Sequence, residues 1–228
     1  MARRGFLVAF EGLDGCGKDT QIQEFCKMLD KNSIKYAVVN QLETEVGRVI
    51  RSKYLSGEVK VDEKVVDILF AADRLEYLTS TVKSLLNEEK VVILNRYLLS
   101  ALAYGCYKSS LLSYDGTVFD YDKDYYRHIM ALNDTAFQTY WPDLTIYLRI
   151  TPAESLRRID GRGEKPEIYE DPRKQIYIQR MFMECIDKFN NKGIKMIDAQ
   201  RSVEEIRDDV WNVFSNFCPR LKVIKKNN

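Results

Sequence analysis

Short, continuous runs of apolar residues alternate along the chain with longer amphipathic stretches. An apolar run of four to eight residues is typical of a strand buried on both faces, whereas the longer stretches have the spacing of helices. The runs are Phe6 to Phe10, Ile34 to Val39, Val91 to Leu94, Leu144 to Ile150 and Ile194 to Ile197. This alternation predicts an α/β fold, with a five-stranded parallel sheet covered by helices on both faces.

Neither repeats nor linkers interrupt the alternation, so residues 1–228 are expected to form a single domain. Two segments depart from it: a loop rich in Tyr, Ser and Asp at about 108–121, and "DGRGEKPEIYED" from Asp160 to Asp171. Ligands of an open parallel sheet bind beyond the carboxyl ends of its strands. The residues that follow each strand are therefore the first place to look for chemistry.

Charge and cysteine content narrow the class of protein. The 35 Lys and Arg residues balance 34 Asp and Glu residues, so no overall field favours nucleic acid or an anionic membrane. Five cysteines without metal-ligand spacing argue against a disulfide framework or a zinc site and favour a reducing compartment. Since no apolar run approaches the length of a membrane span, we expect a soluble, cytoplasmic protein.

A glycine-rich loop follows the first predicted strand. It reads "GLDGCGK" from Gly12 to Lys18, and a helix is predicted from about Gly17. Glycines let successive backbone N–H groups point inward, the helix N-terminus adds partial positive charge, and Lys18 adds a full one. The position between a buried strand and a helix is what a phosphate-binding loop requires, so we predict one here.

The sequence as a whole resembles the thymidylate kinases, which are P-loop nucleoside monophosphate kinases. Six segments carry the resemblance, in the family's order and over nearly the whole chain: "FEGLDGCGKDTQ", "LFAADRLEYL", "VVILNRYLLSALAYG", "LNDTAFQTYWPDLTIYLRITPAESLRRI", "EIYED" and "IDAQRSVEEI". The resemblance implies a three-layer P-loop fold with a lid at about 157–172. It also implies transfer of the terminal phosphate of ATP to dTMP, giving dTDP and ADP, with Mg²⁺ between the phosphates.

The resemblance assigns the phosphates of ATP to the glycine-rich loop. The implied ATP-binding residues are Gly12, Asp14, Gly15, Cys16, Gly17, Lys18, Asp19 and Thr20. Phosphoryl transfer depends on cations placed around the moving group, and the family has a transition-state arginine either in this loop or on the lid. Because Gly15 occupies the loop position, we expect Arg162 of the lid to supply it, with Arg158 as the second candidate.

Phe70 and Arg74 are the candidates for binding the base of the acceptor. They lie four residues apart, so on a helix they share one face. The ring can stack on a pyrimidine and the guanidinium can donate to its exocyclic oxygen, which are the roles that the resemblance implies. A core phenylalanine beside a solvated arginine is the alternative.

The rest of the acceptor site is implied by the resemblance. Arg96, at the carboxyl end of the third strand, is the family's arginine for the acceptor phosphate and counts with Lys18 as catalytic. Ser100 and Tyr104 face the sugar and base, and Tyr104 excludes ribonucleotides. Asp14 accepts from the 3′-hydroxyl, although it also suits a turn, and Tyr169 closes over the acceptor.

Two departures from the family pattern concern the metal. Asp19 replaces the hydroxyl residue that contacts Mg²⁺, and Asn95 replaces the carboxylate of the family's "DRY" motif. We hypothesise that the metal-site carboxylate has moved from position 95 to Asp19, while Asn95 keeps a neutral oxygen ligand. The alternative is that Asp19 only suits the first turn of a helix.

A third departure concerns the acceptor phosphate. After the second strand the family carries an arginine, whereas this chain has Leu42 and Glu43. Arg96 would then hold the phosphate largely alone unless Arg48 reaches in, which predicts weaker affinity or a broader choice of acceptor.

Two other functions stay open: a broader-specificity (deoxy)nucleoside monophosphate kinase, and a non-catalytic nucleotide-binding relative, which Asp19 and Asn95 make conceivable. The intact Lys18, Arg96 and arginine-rich lid favour an enzyme. The resemblance further implies a homodimer, for which the helix from Val61 to about Glu89 is the candidate surface. We interpret the loop at 108–121 as a tolerated insertion rather than a flap over the acceptor.

Overall fold

The computed structural model describes residues 5–56, 58–106, 110–112, 119–161 and 171–218. The strands in these ranges are β1 (Phe6–Gly12), β2 (Tyr36–Asn40), β3 (Val91–Asn95), β4 (Ser110–Leu112), β5 (Phe119–Tyr121), β6 (Leu144–Arg149) and β7 (Ile194–Asp198). Five of them form one sheet in the order β2-β3-β1-β6-β7, and every neighbouring pair is parallel. The predicted α/β class and five-stranded parallel sheet are confirmed.

Helices connect the strands and cover the sheet. In the described ranges they are α1 (Lys18–Lys31), α2 (Glu45–Val49), α3 (Glu63–Tyr77), α4 (Lys83–Asn87), α5 (Leu98–Cys106), α6 (Lys123–Leu132), α7 (Asp134–Thr139), α8 (Pro152–Asp160), α9 (Pro172–Lys188) and α10 (Val203–Phe217). A π-helical segment, Ile50–Leu55, follows α2, and a second one, Leu78–Val82, joins α3 to α4. The helix predicted from Val61 to about Glu89 is this run of α3, π-helical segment and α4.

Each strand of the sheet begins or ends one or two residues from the sequence prediction, and the largest differences, of two residues, are at the end of β1 and the start of β2. β1 continues past Phe10 because β6 pairs with it as far as Gly12, so the polar Glu11 lies inside the strand. β2 begins after Ile34, whose backbone N–H instead donates to the Leu29 carbonyl at 3.0 Å and closes the end of α1.

The sheet has a hydrophobic core on each face. Side chains alternate between the faces along β1, with Val8 and Phe10 in one core and Leu7 and Ala9 in the other. All four are buried. This two-sided burial explains why the strands appear in the sequence as continuous apolar runs.

The two irregular segments of the sequence are only partly described. β4 and β5 form an antiparallel hairpin within the predicted insertion at 108–121, whose other residues lie outside the described ranges. The predicted lid, 157–172, begins in α8 and ends in α9, and residues 162–170 are likewise outside. Among the described helices, none combines the length and the apolar character needed to cross a membrane.

Candidate active site

Three glycines shape the turn that follows β1. Gly12, Gly15 and Gly17 have φ angles of 148°, 72° and 88°, a region that residues with side chains rarely adopt. Gly17 directly precedes Lys18, the first residue of α1. The predicted order of strand, glycine-rich turn and helix is therefore present, and it brings the N-terminus of α1 to the carboxyl edge of the sheet.

Lys18 lies against the inside of this turn. Its Nζ donates to the carbonyls of Leu13 at 2.9 Å and Gly12 at 3.2 Å. The side chain is buried, and this burial, together with the nearby Arg96 guanidinium, lowers the pKa of the Lys18 ammonium. The cation is thus fixed in place by backbone carbonyls.

The turn has no room for a side chain at Gly15. A Cβ added there would lie 2.7 Å from the backbone oxygen of Ser155 and 3.2 Å from Cγ1 of Ile159. Both neighbours belong to α8, so a larger residue would push α8 away from the turn. An arginine therefore cannot occupy this loop position while α8 stays in place. This clash is a steric reason to expect the transition-state arginine on the lid instead.

A polar cavity opens over the glycine-rich turn. Of the predicted ATP-binding residues, Asp14, Gly15, Gly17, Lys18, Asp19 and Thr20 line it. Gly12 and Cys16 lie behind this surface, where the Gly12 carbonyl accepts from Lys18 and Arg96 and the Cys16 side chain is buried. The cavity also contains Arg51, which the sequence analysis did not identify.

Asp19 and Asn95 are in direct contact on the wall of the polar cavity. Asn95 Nδ2 donates to Asp19 Oδ1 at 2.7 Å and to Asn40 Oδ1 at 3.3 Å. Asn40 and Asn95 end the paired strands β2 and β3, and Asp19 belongs to the first turn of α1. The two positions that depart from the family's metal-site pattern thus form one cluster of oxygen-bearing side chains.

Arg96 follows β3 and has a left-handed backbone, with φ of 68°. Its Nη1 donates to the Gly12 carbonyl at 3.1 Å and to the Tyr104 hydroxyl at 3.1 Å, and its Nη2 forms an ion pair with Asp14. The guanidinium carbon also lies 4.9 Å from the centre of the Tyr104 ring. These contacts hold the cation between β1 and α5.

Asp14 is the centre of this cluster. Its carboxylate accepts from Tyr104 at 2.8 Å and from Gln175 of α9 at 3.5 Å. Its carbonyl accepts from the Ser155 hydroxyl at 2.6 Å. Burial opposes ionisation, but Arg96 and Lys18, with these hydrogen bonds, hold the pKa of the Asp14 carboxyl below its ordinary value.

Glu11 is a fully buried carboxylate that the sequence analysis did not assign. It accepts from the backbone N–H of Tyr97 at 2.9 Å, from that of Ser100 at 3.1 Å, and from the Ser100 hydroxyl. Burial raises the pKa of the Glu11 carboxyl, against the hydrogen bonds from Ser100 and the charges of Arg96 and Lys18. Glu11 therefore ties β1 to the N-terminal turn of α5, the helix that carries Ser100 and Tyr104.

A second, mainly apolar cavity of about 170 Å³ adjoins the first. The predicted acceptor-binding residues Asp14, Phe70, Arg74, Arg96, Ser100 and Tyr104 all line it. The guanidinium of Arg74 is buried and donates to Asn133 Oδ1, and the amide of Asn133 in turn donates to the Ile129 carbonyl at 2.8 Å. The solvated arginine considered above is therefore wrong for Arg74.

The loop after β2 forms the wall between the two cavities. Leu42 lines both of them and has a φ of 63°, an uncommon conformation for a bulky residue. Asp73 of α3 holds this loop, since its carboxylate accepts from the Leu42 N–H at 3.1 Å and the Thr44 hydroxyl at 2.6 Å. Arg48 is directed elsewhere, towards Glu45 and the Glu43 carbonyl.

Comparisons with known proteins agree with this architecture. The family model described as thymidylate kinase matches residues 10–210. The chain is 29% identical over 214 residues to a probable thymidylate kinase of Thermococcus gammatolerans, covering 90% of this chain and 94% of the relative. It is 28% identical to a thymidylate kinase of Halothermothrix orenii, covering 92% and 96%.

The fold is also similar to a solved structure of thymidylate kinase from Candida albicans. The TM-score is 0.71 at 23% identity, with 93% of this chain and 92% of that chain covered. The chain belongs to the thymidylate kinase family. The enzymes of this family phosphorylate dTMP to dTDP with ATP as donor, so the chain is a nucleoside monophosphate kinase.

Two predicted site residues of this thymidylate kinase family member, Arg162 and Tyr169, lie outside the described residues. Arg158, the second candidate for the catalytic arginine, is in α8. Its guanidinium donates to Glu154 at 2.8 Å and to the Ala199 carbonyl at 2.9 Å, and it does not line the polar cavity. Its catalytic role stays a prediction.

The structure adds residues that pattern reasoning did not find. Glu11 interrupts an apolar strand, which is a signal that could have identified it. Asp73 adjoins the predicted Arg74, but it contacts the loop after β2 and does not line the apolar cavity. Gln175 and Asn133 offer no signal, because single amides are common on helices and only the fold brings them to the site.

Proposed function

We propose that this chain transfers the γ-phosphate of ATP to dTMP, giving dTDP and ADP. The observation that carries the proposal is the meeting of two cavities at one arginine. The polar cavity over the glycine-rich turn and the apolar cavity beside Phe70 share four lining residues: Asp14, Gln41, Leu42 and Arg96. Two nucleotides bound in them would bring their phosphates together at Arg96.

The polar cavity suits the phosphates of ATP. Backbone N–H groups at the start of α1 and the ammonium of Lys18 supply positive charge, and positioned cations carry most of the catalysis in phosphoryl transfer. Lys18 and Arg96 are the catalytic residues of this proposal. An arginine of the lid provides a further positive charge beside the transferred phosphoryl group. Arg162 is the first candidate for this role and Arg158 the second.

The apolar cavity suits a pyrimidine deoxynucleotide. Phe70 offers a face for stacking, and Arg74 is a buried donor held in position by Asn133. Asp14 and Tyr104 line this cavity in contact with Arg96, where they can contact the sugar. Ser100 and Tyr169 are the remaining residues of the proposed acceptor site.

Mg²⁺ is part of the proposal, and the side chains beside the glycine-rich turn fit it. Asp19 offers a carboxylate on the cavity wall, and Asn95 and Asn40 offer amide oxygens at the ends of adjoining strands. No cluster of three His, Cys, Asp or Glu side chains suited to a metal occurs within the described ranges. Mg²⁺ does not need one, because it commonly takes one or two carboxylates together with substrate phosphates and water.

Release of ADP from ATP, measured over a panel of acceptors, tests the reaction. The panel is dTMP, dUMP, dGMP, dCMP and their ribose counterparts, each with and without Mg²⁺. We expect dTMP to be preferred and Mg²⁺ to be required. Comparable turnover of several monophosphates would favour the broader kinase, for which Leu42 in place of a cation is the supporting observation. Binding of ATP by calorimetry without any ADP release would favour the non-catalytic relative.

The metal site is tested by reversing the two departures from the family pattern. Asp19→Thr removes the carboxylate, and we expect it to raise the Mg²⁺ concentration needed for half-maximal turnover. Adding Asn95→Asp returns a carboxylate to the end of β3 and should restore the wild-type requirement. If Asp19→Thr leaves the Mg²⁺ dependence intact and Asn95→Asp adds nothing, the relocated carboxylate is the wrong explanation.

We also propose a homodimer that forms through the outer face of α3. Val65, Ile68 and Leu75 are exposed by 41%, 47% and 45% and lie on one side of the helix, opposite Phe70 and Arg74. An apolar stripe of this kind on a surface helix marks a contact with another protein. We expect a dimeric mass in light scattering, and a monomeric mass for Ile68→Glu. A monomeric wild-type chain at micromolar concentration would contradict the proposal.

A further inference from the structure

The charged side chains that line the apolar cavity fall into two groups. Among the described residues they are Asp14, Asp67, Arg74 and Arg96. Asp14 and Arg96 form an ion pair and also line the polar cavity. Asp67 and Arg74 belong to α3 and line only the apolar cavity. The part of the cavity that lies away from the proposed phosphate sites therefore carries one carboxylate and one guanidinium.

Asp67, Phe70 and Arg74 form a stripe along one face of α3. Their spacing of three and then four residues places them on the same side of the helix, and all three line the cavity. Phe70 lies between the other two along this stripe. A base that stacks on the Phe70 ring therefore has a hydrogen-bond donor, Arg74, towards one end of the stripe and an acceptor, Asp67, towards the other.

The Asp67 carboxylate is contacted by a second helix. The Tyr125 hydroxyl of α6 donates to Asp67 Oδ2, and both residues are half-buried. An ionised carboxylate has about four acceptor sites, so the bond from Tyr125 does not exhaust them. Asn133 is less suited to accept from a ligand, because its amide oxygen accepts from Arg74 and its amide nitrogen donates to the Ile129 carbonyl. Asp67 thus offers this part of the cavity an acceptor whose position is fixed by Tyr125.

We propose that Asp67 accepts a hydrogen bond from the ring N–H of the acceptor base and thereby selects a base in which that N–H adjoins a carbonyl group. The inference rests on the proposed function. Thymine has O4, which can accept from Arg74, next to N3–H, which can donate to Asp67. Cytosine reverses both groups, since its amino group would face the guanidinium and its unprotonated N3 would face the carboxylate. Unmatched donors and acceptors in a binding site are costly, so this pair of residues favours dTMP over dCMP.

The proposal predicts that Asp67 sets the ratio of the dTMP affinity to the dCMP affinity. Equilibrium binding of both nucleotides to wild type, Asp67→Ala, Asp67→Asn and Glu76→Ala is measured by calorimetry. We expect the preference of wild type for dTMP to fall about 10- to 100-fold in Asp67→Ala, as for loss of a charge-assisted hydrogen bond. Asp67→Asn should bind dCMP more tightly than Asp67→Ala does, because its amide can donate to N3 of cytosine. Glu76→Ala is the matched control and should leave the ratio unchanged, since it removes a carboxylate of the same helix that lines neither cavity.

The ratio separates a role in base selection from a role in the fold. Both nucleotides are measured on the same variant, so a partly unfolded sample affects the two alike and leaves their ratio unchanged. The proposal is wrong if wild type does not prefer dTMP, or if Asp67→Ala changes the two affinities equally or changes neither. A dCMP affinity for Asp67→Asn that is no tighter than for Asp67→Ala would contradict the hydrogen bond to the base.

Binding also separates this inference from the proposed reaction. If wild type binds dTMP in preference to dCMP but forms no dTDP, the proposed reaction fails while the comparison between the variants still decides the role of Asp67. If wild type binds neither nucleotide, both are wrong.

Discussion

Replacement of Glu11 tests whether one buried carboxylate holds the active-site helix in place. Glu11 lies within β1, is fully buried, and accepts from three donors at the start of α5: the N–H groups of Tyr97 and Ser100 and the Ser100 hydroxyl. The first N–H groups of a helix have no partner within the helix. Glu11→Ala would leave all three donors buried without an acceptor.

The expected cost follows from these three donors. An unsatisfied buried donor costs about 1 to 3 kcal/mol. Part of this loss is offset. Burial raises the pKa of the Glu11 carboxyl, so keeping it ionised inside the protein costs free energy, and Glu11→Ala removes that cost. Taking roughly 1 to 2 kcal/mol for each donor, we expect Glu11→Ala to lower the free energy of unfolding by about 3 to 6 kcal/mol. For a chain of this size that corresponds to a decrease in Tm of about 6 to 24 °C.

Glu11→Gln is the matched control. Its side chain keeps an acceptor oxygen for the two N–H groups, and its amide can donate to the Ser100 hydroxyl, so we expect a loss of about 1 kcal/mol or less. Urea unfolding followed by circular dichroism measures both variants. Two outcomes would refute the reasoning: a Glu11→Ala variant within 0.5 kcal/mol of wild type, or equal losses for Ala and Gln.

Three smaller predictions concern the turns and the ion pair of the site. Gly47→Ala places a Cβ 2.5 Å from Asp73 Oδ1, and we expect thermal unfolding to show a loss of about 3 kcal/mol. Urea unfolding should show Gly15→Ala to be less stable than Gly17→Ala by about 1 kcal/mol. At Gly15 the added Cβ meets the backbone of Ser155, whereas at Gly17 the space is open and only the left-handed backbone is strained. Because the folded-state pKa of Asp14 lies below its ordinary 3.8, its stabilisation is present above that pH and lost as pH falls through the folded value. Urea unfolding should therefore show Asp14→Asn destabilised at pH 7, with the difference from wild type shrinking as the pH falls below 3.8.

Most of the sheet could be predicted from the sequence because its strands are buried on both faces and appear as unbroken apolar runs. The predicted strand bounds differ most, by two residues, at the two ends where burial and strand pairing do not coincide. Glu11 is polar but paired with Tyr147 of β6, and Ile34 is apolar but closes the end of α1. Apolar character reports burial, whereas a strand is defined by its hydrogen bonds.

The site was predictable where chemistry is encoded in local spacing. The glycine-rich turn with Lys18, and Phe70 with Arg74 four residues on, each lie within one short segment, so local patterns identify them. Arg51 could not be found this way, because only the path of the loop after β2 brings it into the polar cavity. Sequence reasoning instead considered Arg48, which the structure directs to Glu45.

The buried charges around the two cavities are consistent with the assignment of the chain as a kinase. Glu11, Asp73 and Arg74 are exposed by 0%, 0% and 2%, and each is held by specific hydrogen bonds. Burying ions is costly even when they are paired, and well-packed apolar residues of similar size are often as stable or more so. A chain that needed only the fold would not require these groups. Their burial beside the proposed catalytic cations Lys18 and Arg96 therefore favours a working phosphoryl-transfer site over a decayed one.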